Sequence, residues 1–501
     1  MSFQMVSQQL AQEIGSRLET LTKSFAAGTQ GLQNAGRTGI SALTIDNVDS
    51  VLRSITMEDK HFLLMKDIPT VKAVQTVYQY NVKTAVQSNV DLAGWEGFLP
   101  VEDTSQYLRV AEILKVYGIR KSITQLAQLV NEAGGYQVDI EKENDTNAAM
   151  AMSQSLERDL YHGGDFFIDA NGAIDGTIAA NPNGPVRQVR GIQANVREGD
   201  AGLRGIPGDF IGFGNNRSVV FNRAGGVMER GFVDQVVTAI RDSLGSVGEA
   251  HCTTTQLAEF RKTFFPFERG DLGAAYAIRG AGVTNEVKQG FPLLTVAGNV
   301  DFVPSVFKYT QSRPVVRTSS VGTAPSTPAI TTQPAAGGSN LSSGFGVGEV
   351  YVYAIQAQNF SGISAPIVTN SVTTAVAGER ISIVITAQAG VETFLVFRTP
   401  VEVAGLAGKQ MFVGKVVASR TGTTTFVDAN SIIPGLDSVL FMPEGKERAQ
   451  LAVLGSLINK LDLGLRGLGA ERVYASYVGC ICHQPRTFAV AMNVFGVREG
   501  I

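Results

Sequence analysis

Cysteine, tryptophan and charge are all scarce in this chain. Its 501 residues hold three cysteines (Cys252, Cys480 and Cys482), so no disulfide framework is available, which fits synthesis in a reducing cytoplasm. Charged residues make up 17% of the sequence, against about a quarter in ordinary soluble domains. A surface this poor in charge is a liability on a free monomer and natural where subunits cover one another. The net charge of −3 leaves no basic surplus for a dedicated nucleic-acid binder. No apolar run approaches the ~18 residues that cross a bilayer. The opening MSFQMVSQQL lacks a basic stretch followed by an apolar core, so no secretion signal is expected.

Signatures of catalysis are missing as well. GFGNNR at Gly212–Arg217 has two glycines but not the third that a dinucleotide turn needs. AGKQ around Lys409 lacks the upstream glycine and the Ser/Thr of a phosphate loop. Neither a G-x-S-x-G elbow nor an H-E-x-x-H helix occurs. Cys480-Ile481-Cys482-His483 puts two thiols on one face of a strand, half of a conceivable zinc site with His251-Cys252. Small buried residues of a central strand are the expected role instead. DANGAIDG at Asp169–Gly176 has alanine where a calcium loop needs its third oxygen ligand, so a plain turn is expected. His61 and His162 fall at predicted helix ends and are expected to be solvated. The chain is therefore expected to be no enzyme and to need no metal or cofactor.

What is present is pattern. Phe3, Val6, Leu10, Ile14, Leu18, Leu21 and Phe25 recur at three- and four-residue spacing and predict an amphipathic helix, detached from the rest by AAGTQGLQNAGRTG. Its apolar stripe needs cover, either from its own core or from a neighbouring subunit. A short helix follows from Thr56, its N-cap, and Pro69 closes it. Val74, Thr76, Tyr78, Tyr80, Val82, Thr84 and Val86 then alternate with polar residues as a long strand. After DLAGWEGFLPVEDTS a second strand pattern resumes, which predicts an extended hairpin. Such a hairpin is unstable alone in water and needs cover.

Gln137–His162 reads as a long helix with Ala149, Met152, Leu156 and Leu160 on one stripe and Gly163-Gly164 as its stop. From there to Asn216 the composition predicts loops and short strands. Phe232, Val233, Val236, Val237, Ile240 and Leu244 mark another helix, and Leu257, Phe260 and Phe264 a third, beginning near Thr254. Residues 318–346 are rich in Ser, Thr, Pro, Gly and Ala and nearly uncharged, as in linkers and edge strands. Short alternating strands at regular spacing follow and suggest a small β-sandwich. Helical pattern returns at Glu447–Leu461, before two last strands. Helices and strands are thus interrupted by about a hundred all-β residues and then completed, the shape of a domain insertion.

The element order of residues 44–310 and 440–501 resembles the Hong Kong 97 fold of tailed-bacteriophage major capsid proteins. TMEDKHFLLMKDIPTVKAVQTVYQY leads into a hairpin like that family's E-loop, and DIEKENDTNAAMAMSQSLERDLYHGG looks like its spine helix. ERGFVDQVVTAIRDSLG and TTTQLAEFRKTFF resemble its axial-domain helices. YVYAIQAQNFSGISAP, FLVFRT and FVDAN are similar to immunoglobulin and fibronectin type III modules, although the usual core tryptophan is missing from this part.

The resemblance implies an α+β chain in four parts. These are an N-terminal arm over 1–43, a capsid core over 44–317, an inserted immunoglobulin-like domain over 318–437 and a return to the core over 438–501. Within the core it places the E-loop at about 71–123 and the spine helix at about 137–162, followed by the axial domain. It implies self-assembly through hexamers and pentamers into an icosahedral virion shell around double-stranded DNA, bound without sequence preference. The inserted domain would be exposed on the shell, stabilising or decorating it. Portal and possible scaffold or decoration proteins would be partners, and no membrane would be involved. Candidate inter-subunit contacts are Val6, Leu10, Ile14, Leu18, Leu21 and Phe25 of the arm, with Tyr78, Tyr80, Trp95 and Phe98 of the hairpin. A tail or decoration component, or an adhesive surface protein, are the other readings of the same modules.

Overall fold

The computed structural model describes residues 61–85, 106–126, 129, 140–169, 174, 188–200, 218–264, 291–295, 298–309, 319–320, 325–337, 345–400, 410–419, 422–445, 448–465 and 469–496. The chain divides into two compact units, Met1–Thr56 with Leu126–Glu143, and Met57–Gln125 with Asn144–Ile501. Of the first unit the described residues are Leu126, Leu129 and 140–143. The second carries the fold set out below, and its class is α+β.

Its chain order begins with a short helix α1 (Leu64–Asp67) and four strands, β1 (Thr70–Ala73), β2 (Val77–Ala85), β3 (Gln106–Ile113) and β4 (Lys115–Thr124). The long helix α2 (Ile140–His162), whose first turn belongs to the other unit, is followed by α3 (Ile192–Asp200), β5 (Val220–Asn222) and α4 (Arg230–Asp242). Next come β6 (Val247–Cys252), α5 (Thr254–Phe264), β7 (Phe291–Thr295), β8 (Gly298–Pro304) and a single 3-10 turn at Val306–Lys308. An all-β stretch then runs through β9 (Ser319–Ser320), β10 (Ile330–Gly337), β11 (Val350–Tyr351), β12 (Tyr353–Asn359), β13 (Gly362–Ile363), β14 (Ile367–Val368), β15 (Val372–Thr373), β16 (Arg380–Thr386), β17 (Thr393–Arg398), β18 (Met411–Val417) and β19 (Thr423–Asp428). The chain ends with β20 (Asp437–Pro443), β21 (Ala449–Leu454), β22 (Asn459–Leu465), β23 (Gly469–Cys482) and β24 (Ala489–Val494).

Six sheets result among the described residues, two of them the strand pairs β2-β3 and β11-β15. One has the order β1-β21-β23-β22, with β4 paired along the other side of β23. A second, six-stranded, has the order β5-β24-β20-β6-β8-β7. In the all-β stretch, β10-β16-β19 form one antiparallel sheet, and β18-β17-β12-β13-β9 with β14 on β12 form another. The strands before residue 318 and after 437 share sheets with each other, while β10 to β19 pair among themselves.

Helix α2 forms for the reasons its sequence gives. Glu141 and Glu143 favour the positive end of its dipole. Ala148, Met152, Leu156 and Leu160 are its buried apolar stripe, while Ala149, expected there, is half-buried. The helix ends where Gly163 donates to the Asp159 carbonyl at 2.7 Å. Only glycine fits, because a Cβ would lie 2.0 Å from the Val189 carbonyl oxygen. Helix α4 buries Phe232, Val233, Val236, Val237 and Ile240, as the spacing predicts. Leu244 lies beyond its end, exposed and at φ 61°, so it is no part of the stripe.

Two expectations are corrected. The stretch read as loops and short strands up to Asn216 contains α3, eight of whose nine residues are buried. Glu447–Leu461, read as helical, instead holds β21 and the start of β22, separated by a turn with Gly455 at φ 82°. Leu451 and Val453 point into the main core while Ala452 points into a second one. With apolar residues on both faces, the period-two signal of a strand is erased.

Candidate assembly site

The hairpin is built by β2 and β3, paired antiparallel from Val77↔Ile113 to Ala85↔Gln106. The two ends of the expected 71–123 span pair elsewhere, β1 with β21 and β4 with β23. Alternation gives the hairpin two faces. Tyr80, Val82 and Val110 pack with Ala452 and Ile481 of β21 and β23, and Tyr78 and Leu108 lie against the same cluster. Tyr80 also donates its hydroxyl to the Cys482 carbonyl (3.4 Å) and meets the His483 ring edge-on at 5.0 Å. The candidate contacts Tyr78 and Tyr80 thus rest on their own chain in this structure. The other face carries exposed Tyr107 and Ile113 beside Gln79, Asn81 and Lys83. Trp95, Phe98, the arm residues Val6 to Phe25 and the Thr56 cap lie outside the described residues.

The sheet of β22, β23 and β4 is covered on one side by α2. Ala148 and Met152 pack on Tyr474, with Tyr117 and Ile119 alongside. Asp145 of the helix accepts from Lys460 (2.6 Å) and from the Tyr474 hydroxyl, and Arg472 stands 3.8 Å away. The opposite side is different. Ile481 lies under the hairpin, but Val116 and Leu461 are 62% and 53% exposed, and Leu463, at the register shift between Asp462 and Gly464, is 56% exposed. These are large apolar side chains at more than half exposure on a sheet of a charge-poor chain.

Where α2 ends, the structure builds a buried polar centre that the sequence did not disclose. His162 is not solvated; it is buried beside α3. The polar partners set the amide of Gln193 so that Nε2 donates to Asp165 Oδ2 (3.0 Å) and His162 Nδ1 (2.9 Å). Its Oε1 accepts from Ser438 Oγ at 2.8 Å and from Lys308 Nζ. Arg197 pairs with Asp165 at 3.0 Å and donates to the Met492 sulfur. Burial pushes the His162 imidazole well below its usual range, and the nearby Lys308 adds to the effect. Burial also lowers Lys308 to about 7, against the opposing pull of Asp437 and Asp165. Nearer the middle of α2, Glu157 accepts from the backbone N–H groups of Leu63, Leu64 and Met65 at 3.0, 2.7 and 2.9 Å. Burial raises it to about 7 despite those three donors. The signal missed in the sequence is the run of polar residues in IQANVREGD, whose partners lie far along the chain.

Other chemistry is limited. Cys480 and Cys482 face the main core together, and the buried Cys252 thiol is pushed up to about 12, which removes its nucleophilic form. Among the described residues no group of three His, Cys, Asp or Glu could hold a metal ion. A cavity of about 540 Å³ is lined by Asp67, Glu249, Asp301 and Glu444, together with Gly248, Gly298 and Gly445. No helix among the described residues is long and apolar enough to cross a membrane.

No family model and no curated protein sequence matches the chain. Solved structures do. The capsid of Myoviridae phage XM1 is 7% identical, with a TM-score of 0.43, over 92% of this chain and 100% of that one. The capsid of a native GTA particle is 10% identical, with a TM-score of 0.40, over 93% and 99%. An encapsulin of Synechococcus elongatus PCC 7942 is 9% identical, with a TM-score of 0.38, over 93% and 99%. Two of these are capsid proteins and one is an encapsulin.

Proposed function

We propose that this chain is a shell-building capsid protein with the Hong Kong 97 architecture, and that it forms the icosahedral head of a tailed bacteriophage around double-stranded DNA. The observation that carries the reading is the exposure of Val116, Leu461 and Leu463 on a sheet whose other side is covered by a long helix, with a hairpin packed against the same sheet. Shells hold through many modest contacts that close on themselves, and such a face offers a repeatable one. The role is structural, and the partners are further copies in hexamers and pentamers, with a portal and possible scaffold proteins at assembly.

On this reading residues 318–437 are an inserted immunoglobulin-like domain on the outside of the shell. Support comes from its three antiparallel sheets, whose strands β9 to β19 take one another as ladder partners, and from its buried aromatic core of Tyr351, Tyr353, Phe394, Phe397 and Phe426. The arm over 1–43 and the hairpin tip with Trp95 and Phe98 contribute further subunit contacts.

Negative-stain electron microscopy of the purified chain, alone and co-expressed with its neighbouring genes, tests the proposal. Closed isometric particles in either preparation are expected. Tubes or rings would move the chain to another virion role, and a monodisperse monomer in both preparations would sink the shell reading.

A further inference from the structure

The all-β stretch touches the rest of the chain through an unusual joint. Strand β18 is an edge strand, paired on one side with β17. Its free side is taken by the segment directly after α2. Ile168 donates to the Lys415 carbonyl at 2.9 Å, and Lys415 donates back to the Phe166 carbonyl at 2.8 Å, a short parallel bridge centred on Phe167 and Lys415. A bulge beside the bridge, with Val413 as the extra residue between the pairs Val396↔Gly414 and Phe397↔Phe412, bends the strand there.

The joint is held in a costly conformation. Phe166 has φ 64°, a region that side-chain-bearing residues rarely adopt and that persists only where the surroundings over-determine it. Those surroundings are present. The fully buried Phe166 ring meets Phe412 edge-on at 5.7 Å and His162 at 5.4 Å, and the Arg197 guanidinium lies 5.8 Å from it. One residue earlier, Asp165 is the partner of Arg197 in the polar centre. Opposite the joint, Gly414 allows the close approach. A Cβ there would lie 2.7 Å from Ile168 Cγ1 and 3.2 Å from the Phe166 carbonyl oxygen.

We propose that residues 165–168 are a clip that makes the inserted β-stretch and the end of α2 one mechanical unit. A strained residue, a bulge and an obligatory glycine converge on two backbone hydrogen bonds. The same four residues anchor a buried ion pair on one side and close a sheet edge on the other. A load or a ligand acting on the β-stretch is thereby transmitted to the polar centre and to the long helix. Edge strands are commonly protected by proline or charge; here the edge is occupied by the element to which it must be coupled. The clip does not depend on the shell reading, since it concerns one chain.

Hydrogen exchange of the full chain, read by mass spectrometry, tests it with Gly414→Ala, Ile168→Ala and the double variant. G414A is expected to raise exchange at Ile168 and Lys415 together by about tenfold, and in peptides covering 160–165 and 192–197 as well. I168A removes the atom that the new methyl meets, so the double variant is expected to exchange more slowly at Lys415 than G414A alone. The control is Ile383→Val, which trims the buried core of β16 without touching the clip. Its effect is expected to stay within 330–428. Exchange that rises in β18 alone in G414A, or that spreads equally to 160–165 in I383V, overturns the proposal.

Discussion

Two buried groups whose titration is moved to the same place shape the pH response at the scale of single residues. Glu157 holds its proton up to about 7 in the folded chain, against about 4.5 unfolded. Between those values unfolding releases a proton, so stability falls as pH rises from about 4.5 to about 7. Lys308 loses its proton at about 7 when folded and at about 10.5 when unfolded. Between those values unfolding takes up a proton, so stability rises with pH above about 7. Taken by themselves the two give a minimum near neutrality; the lowered His162 opposes the acid arm, since unfolding takes up its proton below about 6.5, so each contribution is read as the difference in urea midpoint between parent and variant across pH 5–10. Lys308→Met is expected to flatten the alkaline arm and Glu157→Gln the acid arm. A midpoint profile unchanged by K308M would show that Lys308 does not titrate where its burial places it.

The buried pair Arg398–Asp428, at 2.6 Å, answers a different question. Arg398 also donates to Asn430 at 2.7 Å and lies over the Phe345 and Tyr351 rings, while Tyr353 donates to Asp428 at 3.0 Å. Removing one member leaves a charge without compensation. Asp428→Asn is expected to cost about 3–5 kcal/mol in denaturant unfolding. In the double variant Arg398→Met/Asp428→Asn the loss is expected to be smaller than the sum of the two single losses, because the orphaned guanidinium is gone.

Elements differ in how much of them the sequence exposes. The hairpin strands were legible because one face packs on Ala452 and Ile481 while the other meets water, which leaves alternation intact. Helices α2, α4 and α5 were legible because each buries one stripe. Helix α3 was hidden because it is buried all round, and its Gln193, Asn195, Arg197 and Glu198 find partners in Ser438, the Gly191 carbonyl, Asp165 and Arg190 instead of facing solvent. In KERAQLAVLGSLINKL the same loss of contrast ran the other way. Both faces of β21 are apolar, and the residues fall by chance at helical spacing. Of the candidate site, the alternation that places Tyr78 and Tyr80 on one face of the hairpin could be read, but not that this face packs on their own chain. The exposed Leu461 was hidden at the end of the misread helix, and His162 gave no hint of Gln193 or Lys308. The stop of α2 offers an element-scale test. Gly163→Ala places a Cβ against the Val189 and Asp159 carbonyl oxygens, 2.0 and 2.4 Å away, so the backbone must shift. A loss of more than about 2 kcal/mol is expected in denaturant unfolding, well above that of an ordinary surface change. A loss of a few tenths would mean the helix end can relax.

For the whole molecule the question is what covers the sheet face that α2 leaves bare. Val116, Leu461 and Leu463 are each more than half exposed, so polar replacements there remove little buried area from the folded chain. The triple variant Val116→Ser/Leu461→Ser/Leu463→Ser is expected to keep its unfolding free energy within about 0.5 kcal/mol of the parent, as surface changes do. If neighbouring copies bury this face, the same variant is expected to lose particles in electron microscopy and to remain in the small-species fraction on size exclusion. The two readouts separate the possible covers. Lost particles with unchanged stability place the contact between subunits. A fall in both means the face is covered within the chain itself. Particles that form normally with unchanged stability would remove the face from the shell contacts, and the hairpin and arm would then have to supply them.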